Sequence, residues 1–165
     1  MSFLSSHSQG ITVVREEVAT FLEERDGFAS DIDNIFLTNG ASEGVRFCMN
    51  TFLRDPADGH HDRMLTPIPQ YPLYSALSTL FNSNLAPYYL DESDNWSCSI
   101  GSIESSIQTA KDENTTIRGI VVINPGNPTG QVMTEESMRA VIKLCMKENI
   151  CLMADEVYQG MLVCC

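Results

Sequence analysis

The chain has 165 residues, 43% of them hydrophobic, and a net charge of −12 from ten basic and twenty-two acidic side chains. That length fits one domain with a sizeable core, and with no apolar run near membrane-spanning length the composition indicates a soluble globular protein. The acidic excess repels nucleic acid and anionic membranes, so neither is expected as a partner.

The N-terminal Met1-Ser2-Phe3-Leu4-Ser5-Ser6-His7 is too short and polar for a signal peptide and lacks the arginines of a transit peptide. Ile11, Val14, Val18, Phe21 and Leu22 then recur at helical spacing, with Arg15, Glu16, Glu17, Glu23, Glu24 and Arg25 on the other face. This predicts an amphipathic helix ending near Gly27. Ile35-Phe36-Leu37-Thr38 reads as a short strand, Asn39-Gly40-Ala41-Ser42 as a turn, and Val45, Cys48, Met49 and Phe52 as the apolar stripe of a second helix.

Residues 55–62 form a polar loop rich in acids and histidines. His60 and His61 with Asp58 and Asp62 lack the spacing of a closed metal site, so a solvated loop and no metal are expected. Met64-Leu65-Thr66 reads as a strand, followed by a segment whose prolines Pro67, Pro69 and Pro72 rule out helix. Residues 73–81 read as a helix, 85–90 as a strand, and Ile100, Ile103, Ile107 and Ala110 as another helical stripe.

Residues 120–123 are a β-branched apolar run of the kind buried on both faces of a parallel sheet. The run enters Asn124-Pro125-Gly126-Asn127-Pro128-Thr129-Gly130, a loop in which two prolines fix φ and the asparagines are held in place. Thr134 is a good N-cap with Glu135 and Glu136 in the first turn, and Met138, Val141, Ile142, Cys145 and Met146 are expected to face inward from that helix. Lys143 and Lys147 fall on its outer side. Residues 150–154 form the last strand, which runs into Asp155-Glu156-Val157-Tyr158.

The six cysteines form no Cys-x-x-Cys pair, and Cys48, Cys145 and Cys151 fall among apolar neighbours as small core residues do. They are read as reduced thiols in a cytosol-like compartment. The terminal Cys164-Cys165 has nothing around it to support lipidation.

Alternation of strand and helix implies a largely parallel sheet with helices on both faces. The loops at the carboxyl ends of its strands should gather along one edge, where ligands bind in such folds. Four of them carry unusual residues: 39–42, 67–71, 124–130 and 155–158. Free N–H groups at a helix start, with the Ser42 hydroxyl, suit a phosphate, although Ser42 serves equally as a cap. Tyr71, beside prolines, could stack on a flat ring or simply pack in the core. Asp155 follows an apolar strand and needs a cationic or donor partner, which a protonated pyridine nitrogen or a capped, solvated loop would each supply. Tyr158 and Asn127 could reach an oxygen on such a ring, while Tyr158 could also be a packed rim residue.

Together these segments resemble the class I/II pyridoxal-phosphate-dependent aminotransferases, in the alanine aminotransferase branch that includes glutamate:glyoxylate aminotransferase. The stretches that carry the resemblance are Thr38-Asn39-Gly40-Ala41-Ser42, Pro69-Gln70-Tyr71-Pro72-Leu73-Tyr74-Ser75, Pro87-Tyr88-Tyr89-Leu90-Asp91-Glu92-Ser93, residues 123–130 and Asp155-Glu156-Val157-Tyr158-Gln159. Ser6-His7-Ser8-Gln9-Gly10 is similar to the family's lead into its first helix, so the match runs from about Ser6 to Gln159.

The resemblance implies an α/β fold, the fold type I large domain in incomplete form, spanning residues 1–165 with a divergent tail at 160–165. It implies a pyridoxal 5'-phosphate cofactor and amino transfer between L-alanine, or glutamate with glyoxylate, and a 2-oxo acid, in a homodimer. Carried over by position, Gly40, Ala41 and Ser42 would hold the phosphate, Tyr71 would stack on the ring, and Asp155 would pair with the pyridine nitrogen. Asn127 and Tyr158 would bind the ring oxygen, with Asn127 also near the substrate carboxylate.

The family's Schiff-base lysine matches none of Lys111, Lys143 and Lys147, so the cofactor is not expected to attach covalently and the chain alone is expected to be inactive and poorly soluble. It would be what a truncated gene model or shortened splice form yields. Two other readings are a non-catalytic fragment that pairs with full-length aminotransferase subunits, and a related pyridoxal-phosphate lyase or synthase.

Overall fold

The structure, a computed structural model, describes residues 8–161. Ser6, His7, the Cys164-Cys165 pair and residues 162–165 of the expected tail lie outside the described residues. The chain divides into two compact units between Val45 and Arg46.

In the first unit, α1 (Thr12–Asp26) ends where Gly27 turns left-handed (φ +75°) and its N–H closes on the Glu23 carbonyl. The expected inward stripe is not the buried one. Arg15 and Ala19 are buried, whereas Ile11, Val14 and Phe21 are exposed. The Arg15 guanidinium goes inside because it has acceptors there, donating to Gln9 Oε1 at 3.1 Å and to the Ile32 carbonyl at 2.9 Å. Residues 35–38 form no strand. A 3-10 turn at Ile32–Asn34 leads into them, and the Leu37 N–H donates to the Gln9 carbonyl at 2.8 Å without a strand ladder forming. The unit ends in α2 (Ala41–Phe52), within which the division falls.

The second unit is an α/β layer built on β1 (Asp62–Ile68), β2 (Leu85–Asp91), β3 (Ser97–Cys98), β4 (Thr116–Ile123) and β5 (Cys151–Asp155). The strand order is β3-β2-β1-β4-β5, parallel throughout except for the two-residue antiparallel β3. The interior strand β4 is buried over its last five residues, as its β-branched run predicts.

Strand alternation divides the core. Leu65, Ala86, Tyr88, Ile120 and Val122 pack against Ile103 and Ile107 of α4 (Ile100–Asp112) and Val141, Leu144 and Cys145 of α5 (Glu135–Glu148). Each such aliphatic side chain, fully buried, contributes about 1.5–3 kcal/mol. Met64, Thr66 and Val121, all fully buried, point to the opposite face, and α3 (Leu73–Leu80) buries Tyr74 and Leu77.

Helix α5 begins as expected, with Thr134 accepting from the Ser137 N–H at 3.2 Å, and α4 is capped by Ser99, which accepts from the Ser102 N–H at 3.4 Å. In α5 the buried stripe is Val141, Leu144 and Cys145. Met138, Ile142 and Met146, expected inside, are exposed: Ile142 and Met146 stand roughly 105° and 145° around the helix from the centre of that stripe, and Met138 lies in the first turn. Cys151, read as a core residue, is exposed, and the described cysteines are free thiols.

Asp62 departs from the solvated loop as well. It opens β1 and is buried, accepting from the Arg54 side chain at 2.8 and 2.7 Å and from the Arg54 backbone N–H at 3.1 Å. The Arg54 bond, aided by the Arg118 charge, holds its carboxyl below the usual carboxylate range despite burial.

Candidate functional site

Three of the four loops singled out in the sequence leave the carboxyl ends of β1, β4 and β5, which are adjacent parallel strands, so they emerge along one edge of the sheet. The fourth, 39–42, belongs to the first unit and follows an irregular segment instead of a strand.

At that fourth loop Gly40 is left-handed (φ +84°), a conformation that favours glycine, and α2 starts at the next residue. The Thr38 hydroxyl donates to the Gly40 carbonyl at 3.0 Å, and the Asn39 N–H donates to the Glu43 carboxylate at 2.7 Å. Ala41 and Ser42 occupy the first turn, whose N–H groups have no intrahelical acceptor and face outward with the positive end of the helix dipole.

The loop after β4 is braced from several sides. The Asn124 side chain accepts from the Met133 N–H at 3.0 Å and its backbone N–H donates to the Asp155 carbonyl at 3.0 Å, tying the loop to α5's approach and to β5. Gly126 and Gln131 close the loop with an N–H to carbonyl bond of 2.9 Å, and the Thr129 hydroxyl donates to Gln131 Oε1. Asn127 is therefore held at the tip of a closed ring. Its amide nitrogen donates to the Tyr158 hydroxyl at 3.2 Å.

Asp155, the last residue of β5, is half-buried. One of its carboxylate oxygens accepts from the Tyr74 hydroxyl at 2.5 Å and the other from the Val157 N–H at 3.3 Å. Burial first, and then the bond to Asp155, push the Tyr74 hydroxyl far above the ordinary tyrosine range, so it stays protonated and donates. Tyr71, at the mouth of the β1 loop, is exposed and not packed in the core.

Asn127 and Tyr158 are thus brought together, Asp155 ends the same strand-loop segment as Tyr158, and Tyr71 enters the helix that carries Tyr74. Tyr74 and Gln131 are the residues that motif reading passed over. The signal for Tyr74 is its place three residues after Tyr71, at the second residue of a helix that follows the carboxyl end of β1.

The lysines lie elsewhere. Lys111 on α4 pairs with Glu148 at 2.9 Å, Lys147 on α5 pairs with Glu104 at 3.4 Å, and Lys143 is exposed on α5.

An α/β sheet with loops gathered along the carboxyl ends of its parallel strands is the setting, and the family match defines the class of protein: the chain belongs to the aminotransferase class I and II family, whose model matches residues 2–164. Dependence on pyridoxal phosphate is a property of that family.

Within the family the chain is 47% identical over 154 residues to glutamate–glyoxylate aminotransferase 1 of Arabidopsis thaliana, covering 93% of this chain and 31% of the relative. It is 48% identical to mitochondrial alanine aminotransferase 1 of the same plant, covering 93% and 28%. A Saccharomyces cerevisiae relative described as an inactive alanine aminotransferase is 42% identical, covering 93% and 30%, so identity over this segment does not by itself assign turnover. Among solved structures, an Escherichia coli aminotransferase superposes with a TM-score of 0.79 at 30% identity, covering 90% of this chain and 34% of that one. The chain thus spans under a third of the length of the curated relatives it matches.

Proposed function

We propose that this chain forms the cofactor-binding part of an aminotransferase large domain, residues 1–165, that transfers an amino group between L-alanine, or glutamate with glyoxylate, and a 2-oxo acid. The observation that carries this reading is the 3.2 Å contact of Asn127 with Tyr158 beside Asp155, two hydrogen-bonding groups for a ring oxygen next to a carboxylate for a ring nitrogen. High identity to alanine and glutamate–glyoxylate aminotransferases supports transamination over a lyase or synthase reaction.

Pyridoxal phosphate, when bound, supplies an electron sink for the bonds around the substrate's α-carbon. Gly40, Ala41 and Ser42 would hold its phosphate through first-turn N–H groups and the Ser42 hydroxyl. Tyr71 would lie on the ring face, and Asn127 and Tyr158 would hold the ring oxygen, with Asn127 also near the substrate carboxylate. Asp155 would keep a proton on the ring nitrogen, because a carboxylate beside it favours the charged form.

The amine that shuttles the α-carbon proton has no candidate among Lys111, Lys143 and Lys147, which lie on α4 and α5 in surface positions. Turnover on this reading needs a lysine from outside these 165 residues, in a homodimer of the longer type, and this chain alone is inactive. The free thiols favour a reducing, cytosol-like compartment for it.

Titrating the purified chain with pyridoxal phosphate tests the reading. A saturable shift of the cofactor's absorption that borohydride does not trap is expected, weakened by Asn127→Ala and by Asp155→Asn. A trapped adduct on a lysine, or no binding at all, would overturn it.

A second reading, an interaction fragment that pairs with full-length aminotransferase subunits, is favoured by one feature. β5 is an edge strand of the sheet, with Cys151, Leu152 and Ala154 exposed. Unchanged activity and assembly of a full-length enzyme mixed with this chain would count against it.

A further inference from the structure

One short polar contact at the candidate site involves a residue of the Pro69–Ser75 motif to which the resemblance assigned no role. Tyr74 is the second residue of α3, fully buried, and its hydroxyl reaches Asp155 Oδ2 at 2.5 Å across eighty-one residues of sequence. A buried phenol needs a partner, and a carboxylate at the end of an apolar strand needs a donor. Each satisfies the other. A donor hydrogen bond to an ionised carboxylate is among the stronger single contacts in proteins and favours the charged form. The Val157 N–H touches only the other oxygen, at 3.3 Å, a longer bond that leaves that oxygen with capacity to accept.

We infer that Tyr74 is a positioning residue: its hydroxyl fixes the rotamer of Asp155 so that the carboxylate oxygen it leaves to Val157 is presented to a protonated ring nitrogen. The inference rests on the reading of Asp155 given above and deepens it. One short segment then has two tasks, because the chain that sets Tyr71 at the mouth of the site also enters α3 and brings Tyr74 under Asp155. Pro72 at the N-cap of α3 separates them by less than one helical turn. Tyr74→Phe removes one oxygen and retains the buried ring, so the fold loses a hydrogen bond and no packing.

Two probes separate positioning from general support: pyridoxal phosphate, and its carbocyclic analogue in which a ring C–H replaces the nitrogen. Affinities are measured on the full chain, on Tyr74→Phe and on Asp155→Asn. Tyr74→Phe is expected to weaken pyridoxal phosphate about tenfold, the loss of one charge-assisted bond, and to leave the analogue within about twofold. Asp155→Asn is expected to show the same selective loss, larger in size. In the free chain, a downfield Tyr74 hydroxyl proton is expected by NMR, absent in Tyr74→Phe and moved upfield in Asp155→Asn.

Equal weakening of both probes by Tyr74→Phe would make the residue merely structural and overturn the inference. If Asp155→Asn separates the probes and Tyr74→Phe does not, the inference alone fails. If Asp155→Asn does not separate them, the reading of Asp155 fails and takes the inference with it.

Discussion

The Asn127 side-chain amide and the Tyr158 hydroxyl, thirty-one residues apart in sequence, meet at 3.2 Å. They come from the loops that leave two neighbouring parallel strands, β4 and β5, so the sheet register places the pair. If both hold one ring oxygen, their effects on pyridoxal phosphate binding are coupled. Tyr158→Phe and Asn127→Ala should each weaken binding about tenfold, and the double variant should lose several-fold less than the product of the two. A double-mutant cycle on cofactor affinity reads this directly; strict additivity would mean the two residues act on different groups.

Asp62 carries the clearest pH signature of the fold. Its side chain is 1% exposed, and Arg54 and Arg118 lie 2.7 and 3.8 Å from it. Its folded pKa lies below the unfolded value of about 3.9, so the pair stabilises fully above that value. The stabilisation is lost as pH falls through the folded pKa, because below the unfolded value the unfolded carboxyl takes up a proton that the paired folded carboxylate does not. Asp62→Asn should cost about 2 kcal/mol at neutral pH, less than a fully enclosed pair because the Arg54 side chain is 41% exposed. Thermal melts from pH 7 to pH 3 should show wild type converging on the variant only in the acid range.

Much of this arrangement was legible in the amino-acid order, and its failures have a common cause. Residues 120–123 announce a doubly buried strand because four β-branched side chains in a row suit only that setting, and the Asn-Pro loop beyond it carries its own rigidity. Asn127, Asp155 and Tyr158 could be placed because strand ends in a parallel sheet share an edge. The stretch 35–38 has strand-forming side chains too, yet a strand exists only through a partner, and pairing is a property of the whole sheet. Arg15 and Asp62 were assigned to water by polarity alone, whereas each goes inside because acceptors or cations distant in sequence meet it there. Tyr74 was invisible for the same reason, since its partner is eighty-one positions away.

The β2 side of the sheet, which the two-residue β3 covers only at Leu90 and Asp91, is closed differently from the β5 edge. On β2, Pro87 has no N–H to offer, its carbonyl accepts from the Ser106 hydroxyl at 2.6 Å, and the Tyr89 N–H donates to Ser102 Oγ at 2.8 Å. Serines of α4 thereby occupy backbone groups that would otherwise template another strand. Ser102→Ala with Ser106→Ala should free those groups, destabilise the chain by about 1–2 kcal/mol and promote self-association. Sedimentation velocity over a concentration series checks this: a double variant that sediments as wild type does would show that Pro87 alone protects the edge.

Gly119 is the tightest point of the central ladder. It pairs with Cys151 on β5 and with Met64 on β1, just where the β1–β4 register shifts between Arg63 and Met64. A methyl group at position 119 would stand 2.8 Å from the Cys151 carbonyl oxygen and 2.9 Å from Met64 Cε. Met64 is unbranched and could swing, although it is fully buried, but the carbonyl is fixed by the strand ladder. Gly119→Ala should therefore cost about 2 kcal/mol, the usual range for overpacking, and lower the urea midpoint with an unchanged denaturant slope. Adding Met64→Val shortens the side chain and removes the second clash while leaving the first, so it should recover only a minor part of the loss. Full recovery would mean that Met64, and not the strand backbone, sets the limit, and that β5 can move away from β4 at this point.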